Sequence, residues 1–233
     1  MTTPRDTRTV RRVGAAVLLP VGPLSIAVLR GILPYFGTAT DQETITDTAA
    51  HLGRQDAVLW LSVLALVTLI PSVLAAGRLA QRGSPVLTLA GLVLLVPAFA
   101  ALPFFVGDPT LRVLAGGTVD QRTAGALLTE LNGLAPVAVA GVIFVAGHVF
   151  GMVLLGAALW RSGAVPAWAA VAVIVSQPLH ALCTVVLGLQ WLDAVAWGLT
   201  ALGFAVAAWR VSRTPDDAWD LAPGISVPPR RSS

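Results

Sequence analysis

Residues 134–160 read LAPVAVAGVIFVAGHVFGMVLLGAALW, residues 161–168 read RSGAVPAW, and residues 169–190 read AAVAVIVSQPLHALCTVVLGLQ. Between Glu130 and Asp193 the one charged residue is Arg161. A helix rises about 1.5 Å per residue, so roughly 20 apolar residues cross a hydrocarbon layer of ~30 Å. This stretch therefore holds two membrane spans joined by a tight basic turn. Two histidines, His148 and His180, sit within it in otherwise apolar surroundings.

The rest of the chain carries the same signal. Of 233 residues, 56% are hydrophobic and 12% charged, and the mean hydropathy is +0.80. A chain of this size and composition has too little polar surface to cover one soluble core. Working outward from the hairpin, spans are expected at about residues 13–33, 57–77, 85–106, 134–160, 167–189 and 191–209. The first follows a basic segment, as in a signal peptide. No small-x-small cleavage site closes it, so it is read as a retained helix. Pro20 and Pro23, Pro71, and Pro97 and Pro103 fall inside spans, which neighbouring helices tolerate by satisfying the freed carbonyls.

The fold class is thus all-α: a polytopic bundle of six transmembrane helices, with two short amphipathic helices in the outer loops. The first of these is TDQETITDTAAHLG (40–53), where Thr40 and Glu43 have capping-box spacing and Gly53 reads as a stop. The second lies between residues 107 and 133, where Thr118 and Gln121 repeat the spacing and Asn132-Gly133 supplies the stop. Both are read as surface helices lying at the membrane interface rather than as a lid. Three regions result: a basic N-terminus (1–12), the six-helix domain (13–210), and a proline-rich tail (211–233) expected to be disordered.

All 15 basic residues are arginines, and they cluster beside spans, which sets membrane orientation rather than nucleic-acid binding. Eleven fall in the termini and the two tight turns, and four in the other loops. Both termini are therefore expected in the cytoplasm and the protein in the plasma membrane. Trp160, Trp168 and Trp209 mark the inner boundary and Trp60 and Trp191 the outer one. Cys183 is the single cysteine, so no intramolecular disulfide forms, and no zinc-type ligand cluster is present.

The helix end and turn LLGAALWRSGAVPAW, with GHVFG before it and RTPDDAWDL after the last span, resembles a group of small actinobacterial multi-pass membrane proteins. The resemblance runs from RRVGAA to DDAWDL. It implies a six-helix bundle, and no reaction, substrate or catalytic residue comes with it.

Chemistry inside a bilayer falls to intramembrane polar residues, because burying them is costly. They are Arg30, His148, Ser176, Gln177, His180, Thr184 and Asp193. No acid sits mid-span, which argues against a proton-coupled carboxylate relay. No serine–histidine–acid set or HExxH is present, so no catalytic residue is assigned and intramembrane hydrolysis is disfavoured. Arg30 and Asp193 lie at the outer ends of short spans, opposite in sign and similar in depth, so each either snorkels or pairs with the other.

His148 lies twelve residues before Trp160 and His180 twelve after Trp168, which places both imidazoles at one depth on adjacent antiparallel helices. Such a pair suits a shared ligand, a proton relay or, as the one cofactor option, a haem held from both faces. The plainer reading is two structural histidines bonded to carbonyls; Pro178 frees that of Ile174. Three functions remain open: a small permease or solute-handling protein acting on an undefined small molecule; a haem- or metal-binding protein using His148 and His180; and a non-catalytic scaffold or regulator. The lipid bilayer is the expected partner and a homo-oligomer stays open; Gly147 and Gly151 bracket His148 as a GxxxG motif, which lets another helix approach closely.

Overall fold

A computed structural model describes residues 6–35, 37–105 and 107–220. Every regular element among them is helical. In chain order they are α1 (Arg8–Ile32), α2 (Asp41–Ala50), α3 (Leu52–Ala80), α4 (Pro85–Phe105), α5 (Asp108–Ala115) and α6 (Gln121–Asn132). There follow α7 (Ala135–Arg161), α8 (Ala167–Ala181), a π-helical segment (Leu182–Leu187), α9 (Gln190–Arg213) and α10 (Asp216–Trp219). Six of these helical stretches are long and apolar enough to cross a membrane, α8 together with its π-helical continuation.

The six long helices close into a ring in the order α1, α3, α4, α7, α8, α9 and back to α1. α4 and α7 approach each other closely. A side chain at Gly147 would meet the Leu94 carbonyl at 2.8 Å, so the GxxxG of α7 brings two backbones together. Proline positions follow the same economy of partners. Pro23 has no N–H and leaves the Leu19 carbonyl of α1 without its helical donor, and the buried Ser72 hydroxyl of α3 donates to it. The carbonyls at and just beyond the end of α1 are likewise covered: Arg54 donates to Ile32 and Leu33 at 3.1 Å, and Gln190 to Leu33 and Tyr35 at 2.9 Å.

Two faces result. One holds the start of α1, the end of α9 with α10, and the α3–α4 and α7–α8 turns; the other holds the longer loops with α2, α5 and α6. The half of the ring nearer the start of α1 and the end of α9 is solid, with Leu19, Leu155, Leu159, Phe204 and Ala207 fully buried together. The five belt tryptophans, 53–77% exposed, ring the outside, whereas Trp197 and Trp219 are buried.

Several expectations need correction. Three short helices, not two, occupy the loops. Asp108-Pro109 starts α5, because Pro fits a first turn that needs no donor and an acid suits the helix N-terminus. The Thr40–Glu43 capping box forms at α2, but Gly53 does not stop it: the chain bends at His51 and Gly53 lies inside α3. The cap of α6 is Asp120, accepting from Thr123 N at 3.0 Å, while Thr118 donates back to the Val113 carbonyl. The loop helices do not lie separately on the surface. Ile45, Leu111, Ala124 and Leu128 form a small core among them, and Asp41 of α2 accepts from Thr129 and Asn132 of α6 at 2.8 and 2.9 Å.

Nor is the chain loose from residue 211. α9 runs to Arg213, and α10 docks Trp219 beneath the Arg78 guanidinium, 5.1 Å from the ring centre. Arg8 pairs with Asp217, Arg11 with Asp220 at 2.8 Å and Arg12 with Asp216 at 2.7 Å, so the start of α1 and α10 are clasped. The expected disorder of residues 221–233 lies outside the described residues.

Candidate functional site

The ring is hollow in its loop-side half. A cavity of about 1600 Å³ lies there, bounded by α1, α3, α7, α8 and α9 and roofed by α2, α5 and α6. Asp41, Thr44, Leu111, Leu128 and Asn132 of the roof face it. Tyr35, in the connection between α1 and α2, lines it as well, and burial raises its phenol above the ordinary range, so it stays a neutral hydroxyl. One wall is apolar and open: Trp60 and Val63 of α3 and Val142, Val145 and Phe150 of α7 line the cavity while remaining exposed.

The floor is polar. Asp193 lies in the first turn of α9, 1% exposed, where the helix N-terminus favours a negative charge. One of its oxygens accepts from Arg30 Nε and the other from His180 Nδ1. Arg30 Nη2 also donates to the Thr184 hydroxyl, 3.3 Å away, and that hydroxyl lies 3.3 Å from His180 Nδ1. The π-helical segment carries Thr184 to this place. It ends at Gly188, whose φ of +62° suits a residue without Cβ, and the chain then reverses into α9. This reversal lets Asp193 reach His180, thirteen residues earlier.

The His148 and His180 rings meet, with centres 5.4 Å apart and planes tilted by 56°. His148 Nδ1 lies 2.6 Å from the Phe144 carbonyl of its own helix. A carbonyl and a carboxylate only accept, so both Nδ1 atoms carry the hydrogen. In a neutral imidazole with its hydrogen on Nδ1, Nε2 is a lone-pair acceptor. Trp197 completes the floor, with ring centres 6.2 Å from His148 and 5.6 Å from His180. His148 Nε2 and Trp197 Nε1 are buried and without a partner.

Five of the seven intramembrane polar residues thus come together: Arg30, Asp193, His180, Thr184 and His148. Ser176 and Gln177 do not join them. They sit a turn nearer the solid half and bond to Thr200 of α9, at 2.7 and 2.9 Å. His180 takes Asp193, not the Ile174 carbonyl. Trp197 was missed, although a tryptophan six residues inside the outer belt position Trp191 is itself a signal.

The histidine pair does not fit a haem. Two axial imidazoles need centres about 6 Å or more apart with a flat slot between them, given iron–nitrogen bonds of about 2 Å. Here the tilted rings are closer, and Phe144 stacks on His148 with centres 4.2 Å apart. Among the described residues no group of three or more His, Cys, Asp or Glu side chains is placed to hold a metal ion. No protein-family model, curated protein or solved structure matches this chain.

Proposed function

We propose that this protein is a multi-pass plasma-membrane protein that handles a small amphipathic molecule, in the manner of a permease facing outward. The observation that carries the reading is the one-sided hollow: a cavity of about 1600 Å³ ends on the Arg30–Asp193–His180 floor, and the half beneath it is solid. That volume exceeds the usual pocket range of about 300–1,000 Å³, as expected for a cavity with an open wall. Apolar walls with a few convergent polar groups favour a ligand that is mostly apolar with a polar end.

The arginine bias of eleven against four supports cytoplasmic termini, which turns the cavity outward. A reporter fused at residue 45 or 120 is expected to read outside and one at residue 82 inside; any reversal overturns the orientation. Occupancy is tested with Nile red, a neutral fluorescent amphiphile, and protein in lipid nanodiscs against empty nanodiscs. The expected result is one saturable site per chain, weakened when Val149→Phe and Ala181→Phe narrow the cavity beside the floor. No saturable component, or one whose affinity is unchanged in the narrowed variant, overturns the reading.

A further inference from the structure

The arginines on the face that holds the end of α9 differ in how they are balanced. Arg8, Arg11, Arg12 and Arg78 each pair with an aspartate of α10 or with Asp220 just after it. Among the described residues no carboxylate pairs with Arg210 or Arg213, and neither guanidinium donates a hydrogen bond to the protein. Both are exposed in the last turn of α9. They reach the same ring: their guanidinium carbons lie 5.5 and 5.9 Å from the centre of Trp209. Contact with a ring occupies the face of a guanidinium and leaves its N–H edge free. Two uncompensated charges with unspent donors are thus gathered at one belt tryptophan.

The face of α9 that leads to them is apolar. Trp191, Val195, Leu202, Ala205 and Trp209 are exposed, and their spacing keeps them in one line along a helix of 3.6 residues per turn. None of the five lines the cavity, so this face looks out of the ring. Half of a ~30 Å hydrocarbon layer corresponds to about ten helical residues. A lipid tail that starts beside Trp209 therefore runs past Ala205 and Leu202 within its own leaflet.

Charge and shape together select the occupant. A phosphodiester accepts from arginine forks, and a glycerol headgroup adds no positive charge of its own. A choline or ethanolamine headgroup carries the same phosphate but brings an ammonium beside the two arginines. Inorganic phosphate answers the charge and leaves the apolar face unused. We infer that the end of α9 holds an anionic phospholipid, its phosphate on Arg210 and Arg213 and its tail along Ala205 and Leu202. The partial negative charge of the helix C-terminus suits two cations without any lipid. It gives no preference between headgroups, however, and that preference is what the test reads. The site lies outside the cavity and does not depend on what the cavity binds.

The test uses full-length protein in phosphatidylcholine nanodiscs that carry a trace of photoactivatable lipid, either phosphatidylglycerol or phosphatidylcholine, with a diazirine in the acyl chain. The phosphatidylglycerol probe is expected to label the stretch around Leu202 and Ala205 about fivefold more than its counterpart, roughly the attraction of one basic residue for an anionic surface. Unlabelled phosphatidylglycerol should compete and excess inorganic phosphate should not. Arg210→Gln with Arg213→Gln is expected to bring the ratio to about one. Arg82→Gln with Arg161→Gln removes the same charge from the same face and is expected to leave the ratio unchanged. Trp209→Leu keeps both charges but takes away the ring that gathers them, and should lower the ratio. Equal labelling by the two probes in the parent, displacement by inorganic phosphate, equal losses in the two paired variants, or an unchanged ratio in Trp209→Leu would overturn the assignment. Should the Arg210–Arg213 variant fail to assemble, the parent ratio, the phosphate competition and Trp209→Leu still decide it.

Discussion

At the scale of single residues, the floor is held by one carboxylate. Asp193 is buried and shared between Arg30 and His180, so removing any partner leaves an unmet charge in a poorly solvated place. Breaking a buried ion pair from one side typically costs about 3–5 kcal/mol, while replacing both partners by apolar groups costs far less. Arg30→Leu and Asp193→Leu are each expected to lose stability in that range, measured by denaturant unfolding in mixed micelles, and the double variant less than their sum. Additive losses would mean the two side chains do not sense each other. Much of this was legible in the sequence, because charges of opposite sign at matching depth and histidines at equal offsets from Trp160 and Trp168 are statements about height along a helix. What was not legible is rotation and reversal. Asp193 reaches His180 through the π-helical segment and the turn at Gly188, which no periodicity announces. Trp197 reads as packing until its neighbours are known.

Among the elements, the long helices were written in hydropathy, while their partners were not. Capping spacing identified α2, but the roof made by α2, α5 and α6 arises from Ile45, Leu111 and Leu128 meeting one another, residues far apart in the chain. The clasp between the start of α1 and α10 was hidden in a segment whose prolines and charges suggested disorder. Its order comes from Trp219 docked under Arg78 and from arginine–aspartate pairs. Single exposed pairs contribute little, so the clasp depends on several acting together. Bonds from Thr9 and then Arg12 hold the Asp216 carboxyl below its usual value. A depressed carboxylate stabilises the folded form above the ordinary carboxylate pKa of about 3.9, and that contribution is lost as pH falls through the lower folded value. A nitroxide on Ala218→Cys, in a Cys183→Ser background, is expected to be immobilised at pH 7, to loosen as pH falls below about 4, and to loosen in 1 M salt, where screening is strong. Unchanged mobility under both conditions would show that Trp219 alone holds the segment.

For the molecule as a whole, the ring is asymmetric along its axis: solid towards the start of α1 and the end of α9, and hollow towards the loops. Composition and spacing gave six helices but not this asymmetry, because the hollow depends on how α3, α7 and the loop helices separate, and apolar residues look alike whether they face a neighbour, lipid or a cavity. Close packing makes the difference measurable. A phenylalanine introduced into a filled core costs at least about 1–3 kcal/mol, whereas one introduced into empty space costs little. Val149 and Ala181 line the cavity, and Ala158 and Ala207 are fully buried in the solid half. The decisive measurement is the thermal unfolding of four single variants in the same nanodiscs: Val149→Phe, Ala181→Phe, Ala158→Phe and Ala207→Phe. The expected result is that the first two melt within a degree or two of the parent, about 0.5 kcal/mol or less, and that the last two melt several degrees lower or fail to assemble. Equal destabilisation by all four would contradict a hollow loop-side half.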